Sequence, residues 1–160
     1  MSEDQFHYES IGVIRTHFES PDGMPIQPAG ANDVEGTVEV DESYAEGLQD
    51  LDGFSHCILL YHFHAGADIA PLEVEPFLDE ETRGIFATRA PQRPNKIGLS
   101  VVEVGSVTDH ELIVRGIDVV DQTPLLDIKP FVPDFDVPDN ADTGWINASK
   151  STIQSKHADE

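Results

Sequence analysis

Short apolar runs separated by turn residues recur along the chain, and their periods predict strands more than helices. In VEGTVEV, Val34, Val38 and Val40 fall on one parity and Glu35, Thr37 and Glu39 on the other, the alternation of a half-buried strand. YESIGVIRT, from Tyr8 to Thr16, is β-rich and runs into a Pro/Gly loop, ESPDGMPIQPAGAND. FSHCILLYHFH is nearly continuously apolar, as a strand buried on both faces would be. PLEVEPFLDE reads as a Pro-broken acidic loop. GIFATRA, IGLSVVEVG, ELIVRGIDVV and PLLDIKP then follow at intervals of about a dozen residues, with turn signals between them. One segment has a helical period: in DESYAEGLQDLDG, Ser43 caps, Tyr44, Leu48 and Leu51 share a side, and Gly53 terminates. The fold class that follows is mostly β, a closed or nearly closed β-barrel with one or two short helices.

The length of 160 residues suits a single domain. The barrel domain is placed at residues 6–138. After Pro138 the chain turns polar and small, and residues 139–160 are expected to form a loosely held tail. The opening MSEDQFHYES has no apolar core of a secretory signal, and no stretch of 18 apolar residues occurs. A cytoplasmic location with no membrane contact is expected. The single cysteine, Cys57, lies in an apolar run and cannot form an internal disulfide; it reads as a small buried hydrophobe.

Charge changes this picture. The chain carries 31 acidic and 9 basic residues, a formal net charge of -22. Carboxylates spread over most of the sequence point to adaptation to molar salt, where their repulsion is screened within roughly 3 Å. Against that background, Thr82 to Val102 holds no Asp or Glu, where about four would be expected from the average density. The same segment contains Arg83, Arg89, Arg93 and Lys96. Arg93 and Asn95 sit in a turn stiffened by Pro91 and Pro94, next to Arg89 at the end of an apolar strand. Guanidinium forks and an amide suit phosphates, carboxylates and base edges. Structural salt bridges are the alternative, and they explain the arginines though not the cleared acids.

Other chemistries are excluded or weak. No two glycines lie closer than six residues, so neither a G-x-G-x-x-G fingerprint nor a P-loop is present. One cysteine excludes thiolate zinc sites. His56, His62 and His64 share a strand parity, and a metal-dependent hydrolase built on them is an alternative; hydrogen-bonded histidines are the commoner outcome. Asp118, Asp121 and Asp127 lie among aliphatic residues at strand ends, and Gln27 lies between Pro25 and Pro28. Loops of this kind can meet at one barrel mouth, where a ligand pocket is expected.

The blocks IGVIRT, MPIQP, FSHCILLYHFH, GIFATRAPQRPNKIGLSVVEV and GIDVVDQTPLLDIKPFVP are similar, in order and spacing, to the TrmO/TsaA-like family of S-adenosylmethionine-dependent tRNA methyltransferases. The resemblance runs from about Ile11 to Pro133. It implies a single-sheet β-barrel, a homodimer with active sites near the subunit contact, no metal and no DNA partner. The implied reaction is methylation of N6 in N6-threonylcarbamoyladenosine beside the tRNA anticodon. The implied cofactor pocket comprises Ile26, Gln27, Pro28, His64, Ala65, Arg89, Leu99, Arg115, Gly116, Ile117 and Asp118. Arg89, Asn95 and Asp121 are the catalytic candidates; Arg93, Lys96 and Lys129 face the anticodon loop. Departures are Ile26 in place of a frequent basic residue, Gln122 in place of a glycine and Phe131 in place of a tyrosine. The C-terminal extension of longer bacterial members is not matched. A non-catalytic or differently targeted cofactor- or RNA-binding barrel is the remaining alternative.

Overall fold

The computed structural model describes residues 3–20, 34–66, 68–76 and 81–146. Six strands close a barrel in the order β1-β2-β7-β6-β3-β8: β1 is Gly12–Arg15, β2 Glu35–Val40, β3 His56–His62, β6 Ile97–Thr108, β7 Glu111–Arg115 and β8 Thr123–Pro130. Every adjacent pair is antiparallel. Two short strands, β4 (Glu73–Val74) and β5 (Arg83–Gly84), form a separate ribbon.

The alternation read in the sequence supplies the core. Ile14, Val38, Leu59, Val102, Leu112, Val114 and Leu125 are fully or almost fully buried, and Val40 and Cys57 join them. Burial pushes the Cys57 thiol up to about 12, so it stays protonated and inert. The β6 strand is long enough to pair with β3 at its start and β7 at its end, and it shifts register between Val104 and Val107. A bulge of this kind bends a strand so that the sheet can close.

Four expectations change. The β3 segment is buried on one face only: Cys57, Leu59 and Tyr61 point inward, whereas Ile58 and Leu60 are half-buried on the outside. The helix after β2 is two 3-10 helices, Glu42–Leu48 and Leu51–Gly53, joined through Asp50 at φ 71. Ser43 lies within the first of these; Asp41 occupies the cap position and makes no side-chain cap bond. GIFATRA is not a strand beyond Arg83–Gly84: Ile85–Ala87 form a 3-10 turn, closed where the Thr88 hydroxyl and amide both donate to the Ile85 carbonyl. A short helix, α1 (Pro133–Asp136), follows β8.

Beyond it, the Trp145 indole donates to the Ala87 carbonyl at 2.7 Å, and the Arg83 guanidinium lies 5.6 Å from the Trp145 ring centre. The segment expected to be a loose tail therefore has a docking point on the basic segment as far as residue 146; residues 147–160 lie outside the described set.

Candidate functional site

Three polar side chains from three parts of the barrel meet where β3 ends and β6 begins. The Tyr61 hydroxyl lies 2.8 Å from the Ser100 hydroxyl, and Ser100 donates to Asp118 Oδ1 at 2.7 Å. Tyr61 and Ser100 are buried at inward-facing positions of β3 and β6. Asp118 arrives from the turn after β7, made by Gly116 at φ 84, a backbone state that favours glycine. Burial pushes the Asp118 carboxyl up to about 6; the Ser100 bond, its own backbone amide and the positive charge of Arg89 oppose that rise. Arg89 also acts on Tyr61, whose phenol is pushed up by burial and by the Asp118 charge. The Arg89 charge thus reaches both Asp118 and Tyr61.

Asp118 has no ion-pair partner within salt-bridge distance among the described residues. A desolvated carboxylate held by two neutral donors favours a ligand that brings hydroxyl or cationic groups. The residues present therefore fit S-adenosylmethionine, which carries ribose hydroxyls, an ammonium and a sulfonium.

The other sequence-derived residues divide. Ile26, Gln27 and Pro28 lie outside the described residues. His64 and Ala65 are exposed just past β3, beside the Phe63 amide that donates to the Lys96 carbonyl at 2.9 Å. Leu99 is 39% exposed on the outer face of β6, opposite in parity to Ser100. Arg115 is exposed at the end of β7, whereas Gly116 and Ile117 are buried. Ile117 packs in the core, so only its backbone can meet a ligand from inside the site.

Asp121 has a structural role: its Oδ1 accepts from the Thr16 amide at 2.9 Å and its Oδ2 from Gln122 at 3.3 Å. That arrangement ties the end of β1 to the turn before β8.

The basic turn is also internally bonded. Arg93 Nη1 donates to the carbonyls of Thr88, at 2.9 Å, and Ala90, at 3.1 Å. Lys96 pairs with Asp68 at 2.8 Å and Lys129 with Asp127 at 3.1 Å. Arg89 and Asn95 stay exposed on this turn.

The histidines do not converge. His56 and His62 stand at opposite ends of β3, roughly 20 Å apart at strand rise, and no metal-holding group of His, Cys, Asp and Glu forms among the described residues. A cavity of about 470 Å³, lined by Tyr44, Leu48, Leu51, Phe54, Asp127 and Pro130, lies under the two 3-10 helices, away from the polar cluster.

Sequence reasoning missed Tyr61 and Ser100. The available signal was parity: hydroxyl residues stand at inward positions otherwise filled by Leu59, Gly98 and Val102.

Known proteins share this architecture. The family model for the tRNA-methyltransferase O N-terminal domain matches residues 13–137. A probable S-adenosyl-L-methionine-binding protein of Pyrococcus abyssi is 48% identical over 152 residues, covering 95% of this chain and 82% of its own. The tRNA (adenine(37)-N6)-methyltransferase of Escherichia coli is 36% identical over 137 residues, covering 80% and 58%. The crystal structure of TrmO from Pseudomonas aeruginosa superposes with a TM-score of 0.75 at 36% identity, covering 89% and 63%. The chain thus spans less than two thirds of these two bacterial proteins. With the family model covering most of the barrel, the chain belongs to the tRNA-methyltransferase O N-terminal domain family.

Proposed function

We propose that this chain is an S-adenosylmethionine-dependent tRNA methyltransferase acting on N6 of N6-threonylcarbamoyladenosine beside the anticodon. The observation that carries it is the Tyr61–Ser100–Asp118 chain, its two hydroxyls buried and its carboxyl half-buried, within range of the Arg89 charge, in a member of a family whose relatives are named for this cofactor and for tRNA adenine-N6 methylation. A second support is the acid-free segment from Thr82 to Val102, suited to a polyanionic partner.

The cofactor supplies an activated methyl on a sulfonium centre, so the task of the protein is alignment. Asp118, with the backbone of Gly116 and Ile117, anchors the cofactor; His64 and Ala65 complete its wall. Arg89 and Asn95, exposed on the same turn, hold the carbamoyl and threonine carboxylate of the substrate. N6 belongs to a ureido group, so its lone pair is delocalised and its proton must leave as the nitrogen is methylated. With both Asp121 oxygens engaged by the protein, we assign that proton to solvent. The chain works as a cytoplasmic homodimer in a salty cell, and the exposed apolar residues Ile69, Leu72, Phe86 and Ile97 offer the subunit contact.

The test has two parts. Calorimetry in EDTA should show one S-adenosylhomocysteine per subunit, and tRNA from a deletion strain should regain the methylated nucleoside, by mass spectrometry, when incubated with enzyme and cofactor. Cofactor binding without methyl transfer to any tRNA would favour a non-catalytic barrel. Binding that requires a divalent metal would overturn the cofactor assignment.

A further inference from the structure

The two hydroxyls behind Asp118 form a directed relay. A carboxylate only accepts, so the single Ser100 proton is committed to Asp118 Oδ1 at 2.7 Å. The proton in the 2.8 Å contact between the hydroxyls must then come from Tyr61. Tyr61 is 4% exposed and Ser100 is fully buried, so neither hydroxyl has bulk water as an alternative partner.

The barrel is built to admit the tyrosine ring. Gly98 stands directly opposite Tyr61 across β3 and β6, and a side chain there would bring a Cβ to 2.5 Å from a Tyr61 ring carbon and 2.7 Å from Phe63. The Phe63 ring packs edge-on against Tyr61 with centroids 5.5 Å apart. The ring is thus held from two sides and its hydroxyl is aimed at Ser100.

We propose that Tyr61 and Ser100 are positioning residues, whose aligned hydroxyls hold the Asp118 carboxylate in one orientation toward the cofactor. This rests on the assignment of Asp118 as a cofactor anchor. The relay engages one oxygen from inside the barrel and leaves further acceptor capacity for a hydroxyl or ammonium group. It also favours the charged form, which burial alone opposes. The charged group acting on Asp118 is Arg89, from the basic turn, and Asp118 in turn raises Tyr61, from β3. Tyr61 remains a protonated donor across the working range because burial and the neighbouring charge both raise it.

The experiment follows Asp118 directly, in the full ligand-free chain, by carboxyl carbon NMR over pH 5 to 8, its signal assigned by its loss in Asp118→Asn. In the native chain the midpoint is expected near 6. Ser100→Ala should raise it by about one pH unit, Tyr61→Phe should raise it less, and Ser100→Thr should bring it back toward native. Affinity for S-adenosylhomocysteine at neutral pH should fall roughly tenfold in Ser100→Ala and recover in Ser100→Thr. Tyr61→Phe keeps the ring and provides the readout if Ser100→Ala does not fold. An Asp118 midpoint unchanged in the folded variants overturns the relay. A shifted midpoint with unchanged cofactor affinity in these variants overturns the positioning role, whereas unchanged affinity in Asp118→Asn overturns Asp118 as a cofactor anchor.

Discussion

At the Asp118 side chain, burial and charge pull in opposite directions, and the balance is measurable as stability. The folded carboxyl titrates at about 6, against 3.8 for the unperturbed group. The folded state therefore holds this proton more tightly than the unfolded chain does. The contribution of Asp118 is greatest below the unfolded value and declines as pH rises through the folded one, by on the order of 3 kcal/mol at full ionisation. Asp118→Asn removes the partly buried charge and keeps an acceptor for Ser100. The variant should be more stable than the native chain at pH 7, and its advantage should be about 1 kcal/mol smaller at pH 5. Paired urea unfolding curves at the two pH values check this, both above the sequence pI of 4.3 where the chain is least soluble. An advantage that does not change with pH would mean that Asp118 is not ionising in a desolvated site. The stability gained should come with weaker cofactor binding, as is usual when a strained functional group is relieved.

The basic turn shows why an element has to be read as a unit. Arg93 is not extended toward a partner; it bridges the carbonyls of Thr88 and Ala90, and the Thr88 hydroxyl in turn takes the Ala90 amide at 3.2 Å. Arg89 lies between those two carbonyls in sequence, so its placement depends on the clamp. Arg93→Ala should lower cofactor affinity roughly five- to tenfold, through one or two lost hydrogen bonds from a charged donor, and lower kcat/KM by at least as much. Calorimetry beside tRNA kinetics tests it. Unchanged cofactor affinity with a raised KM for tRNA would return Arg93 to the role of a phosphate contact.

The same element marks what was legible in the sequence. Strand parity reported the barrel well, because Val34, Val38 and Val40 face a core that only apolar residues can fill. It failed at GIFATRA, where a local hydroxyl closes a 3-10 turn that β-propensity does not register. It also failed at FSHCILLYHFH, since Ile58 and Leu60, facing outward, lie beside Val101, Leu99, Lys129 and Asp127 of neighbouring strands and are apolar without being core. Of the candidate cluster, the motifs singled out Arg89 and Asp118. The hydroxyl relay was not, because Tyr61 and Ser100 are 39 residues apart and become neighbours only through the β3–β6 register.

For the whole molecule the controlling quantity is the charge of -22 carried by 160 residues. Ion pairs that offset it among the described residues are mostly at the surface, as in Arg15–Glu39, Arg83–Glu81, Lys96–Asp68 and Lys129–Asp127. Exposed pairs of this kind contribute about 0–1 kcal/mol each, too little to balance the repulsion of 31 acidic residues set against 9 basic ones. At about 0.1 M salt the screening length is roughly 10 Å, comparable to the spacing between surface charges, whereas at about 1 M it is roughly 3 Å. The compact state therefore gains from salt more than the expanded chain does, because folding brings the carboxylates together. The melting temperature followed by circular dichroism should rise steadily from about 0.1 M to about 3 M KCl, with most of the screening gain complete by about 1 M and any further rise reflecting strengthened apolar burial. Substituting an uncharged osmolyte of equal osmolality should reproduce only the second part. RNA affinity should move the other way, since each phosphate contact weakens as salt rises. A melting temperature that is flat or falls with KCl would show that the carboxylates are not a load on the fold, and the reading of this chain as adapted to high salt would fail.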